Sequence, residues 1–82
     1  MTQDSIQFLM DHYGDLTKNE KLAVDYIITH FHQAIRMSVY ELAQISGVST
    51  ATLVRLSQHM GFAGYKEFRL FLAQGHQWRM ID

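Results

Sequence analysis

The side chains that could carry chemistry include five histidines spread along the chain, whereas cysteine is absent. Only His30 and His32 lie close together in sequence, and residues two apart on a helix do not share a face. A zinc site requires more ligands at a compatible spacing, and the sequence contains neither a glycine-rich phosphate loop nor a nucleophile motif. The sequence therefore predicts no metal site, no cofactor and no catalytic residue.

A second group of polar side chains lies in the middle of the chain, around the start of a helix predicted for residues 50–60. Small residues and hydroxyl groups at a helix start allow close approach to DNA, where threonine can bond a phosphate or a base edge. Arg55 follows one turn later and could bind guanine or a phosphate, although the sequence also permits a purely solvated role. For Gln58 and His59, an ordinary exposed position is equally consistent with the pattern. The candidate DNA-contacting residues are Ser49, Thr50, Ala51, Thr52, Arg55, Gln58, His59 and Lys66.

Positioning these side chains requires a scaffold. The spacing of capping residues, glycines and apolar residues along the chain predicts short helices with tight connections. Thr17 with Glu20, and Ser38 with Glu41, have the spacing of capping boxes, in which side chain and backbone at a helix start satisfy each other. Residues 30–37 are predicted to form a connection. Five helices are predicted, namely residues 6–13 ended by Gly14, 18–29, 39–46, 50–60 ended by Gly61, and 65–74 ended by Gly75. The predicted fold class is all-α, a compact homeodomain-like bundle of about five helices.

Apolar residues at helical spacing predict which faces turn inward. The second helix offers Leu22, Ala23, Tyr26 and Ile27, the third offers Leu42, Ala43 and Ile45, and the fourth offers Leu53, Leu56, Ser57 and Met60.

The third and fourth predicted helices have the spacing of a helix-turn-helix. Two helices joined by so short a turn must cross steeply, which demands a small residue where they touch. Ala43 lies at that position, and Gly47 can adopt the positive φ that a sharp turn after a helix requires. The residues predicted to pack this unit are Leu42, Ala43, Gly47, Val48, Leu53 and Leu56.

Composition is consistent with a small helical domain and places the basic side chains near the motif. The 82 residues are 48% hydrophobic, contain no proline and carry a formal net charge of −1. Residues 1–34 have two basic and five acidic side chains, a balance of −3, whereas residues 35–82 have five basic and three acidic, a balance of +2. Phosphate contacts dominate affinity for nucleic acids, so one copy alone is expected to bind weakly. Neither a secretory signal nor a membrane span is evident, and a cytoplasmic location is expected.

Several stretches together resemble the N-terminal domain of the RpiR family of bacterial transcription regulators. They are residues 37–43, 47–49, 51–56 and 60–68, with weaker matches at 16–17 and 24–27; the Gly-Phe-Ala-Gly-Tyr turn at 61–65 after Ala51, Thr52 and Arg55 is the most specific. The resemblance implies a DNA-binding domain at residues 1–75, followed at 76–82 by a tail that begins a linker. It further implies an operator in double-stranded DNA, genes of sugar or amino-sugar metabolism, and a phosphosugar effector bound by a domain absent from this chain.

An alternative is a helical protein-interaction or oligomerisation module that does not bind DNA. The first predicted helix carries Ile6, Phe8, Leu9, Met10 and Tyr13, which either complete the core or form a symmetric dimer contact. Trp78 and Met80 could act in the same way. A homodimer is expected, because two recognition helices one DNA turn apart, ~34 Å, would read a palindrome.

Overall fold

Helices make up the whole fold over the described part of the chain, which is the backbone of residues 4–81 and the side chains of residues 5–74. In the computed structural model no strand occurs between residues 4 and 81, and the all-α prediction is confirmed. A 3-10 turn at Tyr13–Asp15 follows the first helix. The helices are α1 (Asp4–His12), α2 (Lys18–Thr29), α3 (Phe31–Ala34), α4 (Val39–Ser46), α5 (Thr50–His59) and α6 (Tyr65–Ile81).

Both predicted capping boxes are present and set the starts of α2 and α4. The Thr17 hydroxyl accepts from the Glu20 amide while a Glu20 carboxylate oxygen accepts from the Thr17 amide. Ser38 and Glu41 make the same reciprocal pair at α4. Each pair satisfies backbone N–H groups that have no partner within the helix, so these starts are fixed by residues close in sequence.

Three predicted boundaries are wrong. Residues 31–34 form a short helix rather than a plain connection, because the helical conformation brings both Phe31 and Ala34 into the core. The first helix ends at His12 rather than at Gly14, and Gly14 lies in the 3-10 turn that follows. The last helix passes through Gly75 to Ile81, because glycine inside a helix costs only ~1 kcal/mol. The side chains of Trp78 and Met80 lie outside the described residues.

The core forms where the inward faces of the helices meet, and two predicted core residues are outside it. The buried face of α2 comprises Glu20, Ala23, Val24 and Ile27, which places Leu22 on the opposite side, where it is exposed. Ile45 is likewise exposed because α4 packs through Leu42 and Ala43. The predicted inward residues of α5, Leu53, Leu56, Ser57 and Met60, are all buried.

Helix α1 completes the core by packing on α6. Leu9 is fully buried, and the Ser5 hydroxyl donates to the Leu72 carbonyl over 3.1 Å. Phe8 packs against Phe71 and Phe62, with ring centroids 5.0 and 6.2 Å away. Helices α1 and α6 therefore stabilise each other on one side of the helix-turn-helix.

Candidate DNA-binding site

The turn between α4 and α5 depends on one backbone conformation. Gly47 has φ 78° and ψ 26°, the left-handed conformation predicted for this position. The amides of Gly47 and Val48 both donate to the Ala43 carbonyl over 3.0 Å. Glycine adopts this conformation without strain, asparagine adopts it at a smaller energetic cost than most residues, and the other residues adopt it at a larger cost. The turn therefore reverses the chain within three residues, and Ala43, itself buried, lies beneath it.

Ser49 and Thr52 organise the start of α5. The Ser49 hydroxyl accepts from the Thr52 amide over 3.1 Å and lies 3.0 Å from the Thr52 hydroxyl. Thr52 is only 4% exposed. The sequence placed Thr52 among the DNA contacts, but its burial and its pairing with Ser49 make it a support for the helix start. Ser49 remains exposed and Thr50 is half-buried.

One face of α5 is exposed along its whole length. Ala51, Arg55 and Gln58 are exposed and lie at i, i+4 and i+7, so they share a face. Val54 is exposed on the same face, although sequence reasoning did not include it; its spacing of three residues from Ala51 is the signal that would have found it. We call Ala51, Val54, Arg55 and Gln58 the exposed stripe of α5. The buried residues Leu53, Leu56 and Met60 lie on the other side of the helix.

Arg55 is the cationic residue of this stripe. Its side chain is exposed, and among side chains 5–74 no hydrogen bond or ion pair engages it. A guanidinium that has no internal partner keeps all its donors for a ligand. Lys66 is also exposed, in the first turn of α6.

His59 ends α5 and is tied to α2. Its Nδ1 lies 3.0 Å from Glu20 Oε1 and 2.9 Å from Oε2, with the histidine side chain 53% exposed and the glutamate 1% exposed. The structure thus brings Glu20 to a predicted site residue, a contact that sequence reasoning missed because the two residues are 39 positions apart.

The first turns of α6 hold the segment that leads into α4. The Tyr65 hydroxyl donates to the Met37 carbonyl, and Arg69 Nη1 donates to the Ile35 carbonyl, each over 2.7 Å. Burial raises the pKa of Tyr65 to about 12, although the neighbouring Arg69 charge partly opposes that shift. The Tyr65 hydroxyl is therefore neutral throughout the physiological pH range, and it holds the segment that precedes α4.

A tight turn at a left-handed glycine, a buried Ala43 whose carbonyl accepts from that turn, and an exposed helix face with an unengaged arginine are the features of a helix-turn-helix DNA-binding domain. A family model described as the helix-turn-helix domain of the rpiR family matches residues 4–78. The chain belongs to the rpiR family.

The curated relatives of the chain are transcriptional regulators. The HTH-type transcriptional regulator GlvR of Bacillus subtilis is 36% identical over 66 residues, which is 80% of this chain and 26% of GlvR. The HTH-type transcriptional regulator HexR of Pseudomonas aeruginosa is 35% identical over 71 residues, 87% of this chain and 24% of HexR. The chain thus spans about a quarter of the length of these relatives. No solved structure gives a significant match, and no described helix is long and apolar enough to cross a membrane.

Proposed function

We propose that this domain binds double-stranded DNA in a sequence-specific manner, with α5 in the major groove. The observation that carries the proposal is the exposed stripe of α5, with Arg55 unengaged among the described side chains. In helix-turn-helix proteins the second helix enters the major groove and its N-terminal part faces the base edges. Buried Leu53 and Leu56 hold the opposite side of α5 to the core, which directs the stripe outward.

Each exposed side chain near α5 has a role suited to its chemistry. Arg55 is proposed to bind guanine bidentately, and Gln58 to pair with adenine. The methyl groups of Ala51 and Val54 are suited to contact with a thymine methyl. Phosphate contacts are proposed for the residues around the helix start and its flank, which are Ser49, Thr50, His59 and Lys66.

A homodimer is proposed because a single copy carries so little positive charge. Two copies double the number of phosphate contacts on a palindromic site. Met10 is 56% exposed, and with Tyr13 and Ile28 it lines an open apolar depression of about 250 Å³. Most of α1 completes the core of its own chain, and this depression is proposed as the contact with the second copy. Tyr13 is held at the rim, where its hydroxyl donates to Asp25 over 2.9 Å.

In the whole protein, the domain is proposed to act in the bacterial cytoplasm as part of a regulator of sugar or amino-sugar metabolism genes. The resemblance of the sequence to the N-terminal domain of RpiR-family regulators supports this assignment. A phosphosugar effector would then bind a domain outside this chain.

Selection from a pool of random duplex DNA at two salt concentrations tests the proposal. We expect enrichment of a short palindrome, with affinity that falls as salt rises. Arg55→Ala should weaken the enrichment and remove the preference for guanine at one position of the palindrome, whereas Lys18→Ala, a change at an exposed cation on α2, should leave it unchanged. A folded domain that enriches no sequence at either salt concentration would favour the protein-interaction alternative.

A further inference from the structure

The two capping boxes of this domain differ in a way that capping does not explain. Glu20 and Glu41 each accept from their N-cap amide over 2.9 Å. Glu41 is exposed, as is usual for a charged side chain at a helix start, whereas Glu20 is fully buried. Because both boxes work equally well as caps, the burial of Glu20 must serve another contact.

That contact is with His59, across the interface between α2 and α5. His59 Nδ1 lies within 3.0 Å of both Glu20 carboxylate oxygens. Among the described residues, no group makes a well-formed hydrogen bond to the buried Oε2. A buried carboxylate is costly unless it is paired, and His59 Nδ1 is the side-chain nitrogen that accompanies the Thr17 amide at this carboxylate.

The pairing fixes a proton on one ring nitrogen. An ionised carboxylate can only accept a hydrogen bond, so the pairing with ionised Glu20 requires a form of His59 that carries hydrogen on Nδ1. The tautomer of a histidine is set by the hydrogen bonds that its nitrogens make. The capping box of Thr17 and Glu20 fixes the first turn of α2, and through Glu20 that turn holds His59, the last residue of α5, in place.

We propose that Glu20 is a positioning residue for DNA recognition, because its buried carboxylate holds Nδ1–H of His59 and fixes the C-terminal end of α5 against α2. This inference rests on the proposed function, since it assigns α5 to the major groove. Glu20 is buried and contacts no DNA itself. The orientation of the exposed stripe of α5 depends on it, because that stripe and His59 belong to one short helix.

Glu20→Gln tests the inference, with Glu41→Gln as a matched control. Glutamine still completes a capping box, and each change removes one negative charge, so the two variants differ in the contact to His59. We expect long-range proton–nitrogen NMR spectra of the parent to show Nδ1 of His59 protonated. In Glu20→Gln the amide oxygen stays on the Thr17 amide and the amide nitrogen, which can only donate, takes the place of Oε2, 2.9 Å from Nδ1. Nδ1 should therefore lose its hydrogen and DNA affinity should fall roughly 3- to 10-fold, whereas Glu41→Gln should keep both.

A double-mutant cycle separates positioning from a direct contact of His59 with DNA. His59→Ala should weaken DNA binding at least as much as Glu20→Gln, and the double variant should bind no more weakly than His59→Ala alone. His59→Gln, whose amide can donate to the carboxylate, should bind DNA more tightly than His59→Ala, and it supplies a second variant should Glu20→Gln fail to fold.

Additive losses, an unprotonated Nδ1 in the parent, or equal effects of Glu20→Gln and Glu41→Gln would overturn the inference. A parent domain that binds no DNA would instead overturn the proposed function, and the positioning role with it. The ring-nitrogen signal needs no DNA and reports the pairing in either case.

Discussion

Replacing Gly47 with alanine isolates the cost of one backbone conformation. A Cβ built at Gly47 meets no atom within 4 Å, so the substitution introduces no clash. The whole penalty arises from φ at 78°, and a non-glycine residue in the left-handed region costs about 1–2 kcal/mol. Alanine also reduces the freedom of the unfolded chain, which returns about 0.4–1 kcal/mol. The net loss of unfolding free energy should be about 1 kcal/mol, or a fall of roughly 4–8 °C in Tm for a domain of this size.

Gly14 supplies the matched control for this experiment. A Cβ at Gly14 also meets nothing within 4 Å, but its φ is not in the left-handed range. Gly14→Ala should therefore leave the thermal melting temperature unchanged or raise it slightly. Gly47→Asn should lie between alanine and the parent, because asparagine tolerates the left-handed region better, and Gly47→Val should be worse than alanine. Equal melting temperatures for Gly47→Ala and Gly14→Ala would refute the argument that backbone strain governs the turn.

Other perturbations test the DNA-binding site, the predicted helix crossing at Ala43 and the hydrogen bond from Tyr65 to Met37. Arg55→Ala should weaken operator binding by ~1–3 kcal/mol in a fluorescence titration if Arg55 reads a base; unchanged affinity in a folded variant would remove that role. Ala43→Leu should lower the unfolding free energy by ~1–3 kcal/mol through overpacking, and a parental denaturation midpoint would mean that the helices do not cross there. The pKa of Tyr65 is raised from 10.0 to about 12. The contribution of neutral Tyr65 to the unfolding free energy should therefore be fully present below pH 10 and be lost as the pH rises through 12. Tyr65→Phe should remove that part of the pH dependence, and an unchanged pH profile would contradict it.

The features predictable from the sequence are those that nearby residues determine. Each capping box joins residues three apart, and the turn at Gly47 depends on one glycine after a short apolar stripe. The inward face of α5 was predictable because its apolar spacing matches the period of a helix. These local signals were enough to predict the helix-turn-helix and most of its exposed residues.

The features that were missed depend on which distant element covers a given face. Leu22 and Val24 are both apolar residues of α2, but Val24 is buried and Leu22 is exposed, because the neighbouring helices cover the face of α2 that carries Val24. The same packing buries Glu20, since the end of α5 lies over it. Thr52 has the chemistry of a DNA contact, but its hydroxyl pairs with Ser49. Composition and spacing carry no information about such pairings.

The packing of α1 on α6 has a consequence for the order in which the domain folds. Ser5 and Leu72 are 67 positions apart, and contacts between such distant residues form slowly because a long loop must close first. Helix α1 thus completes its packing only after α6 has formed. Shortening the chain within α6 would therefore release α1 at the opposite end of the sequence and expose its apolar side to aggregation.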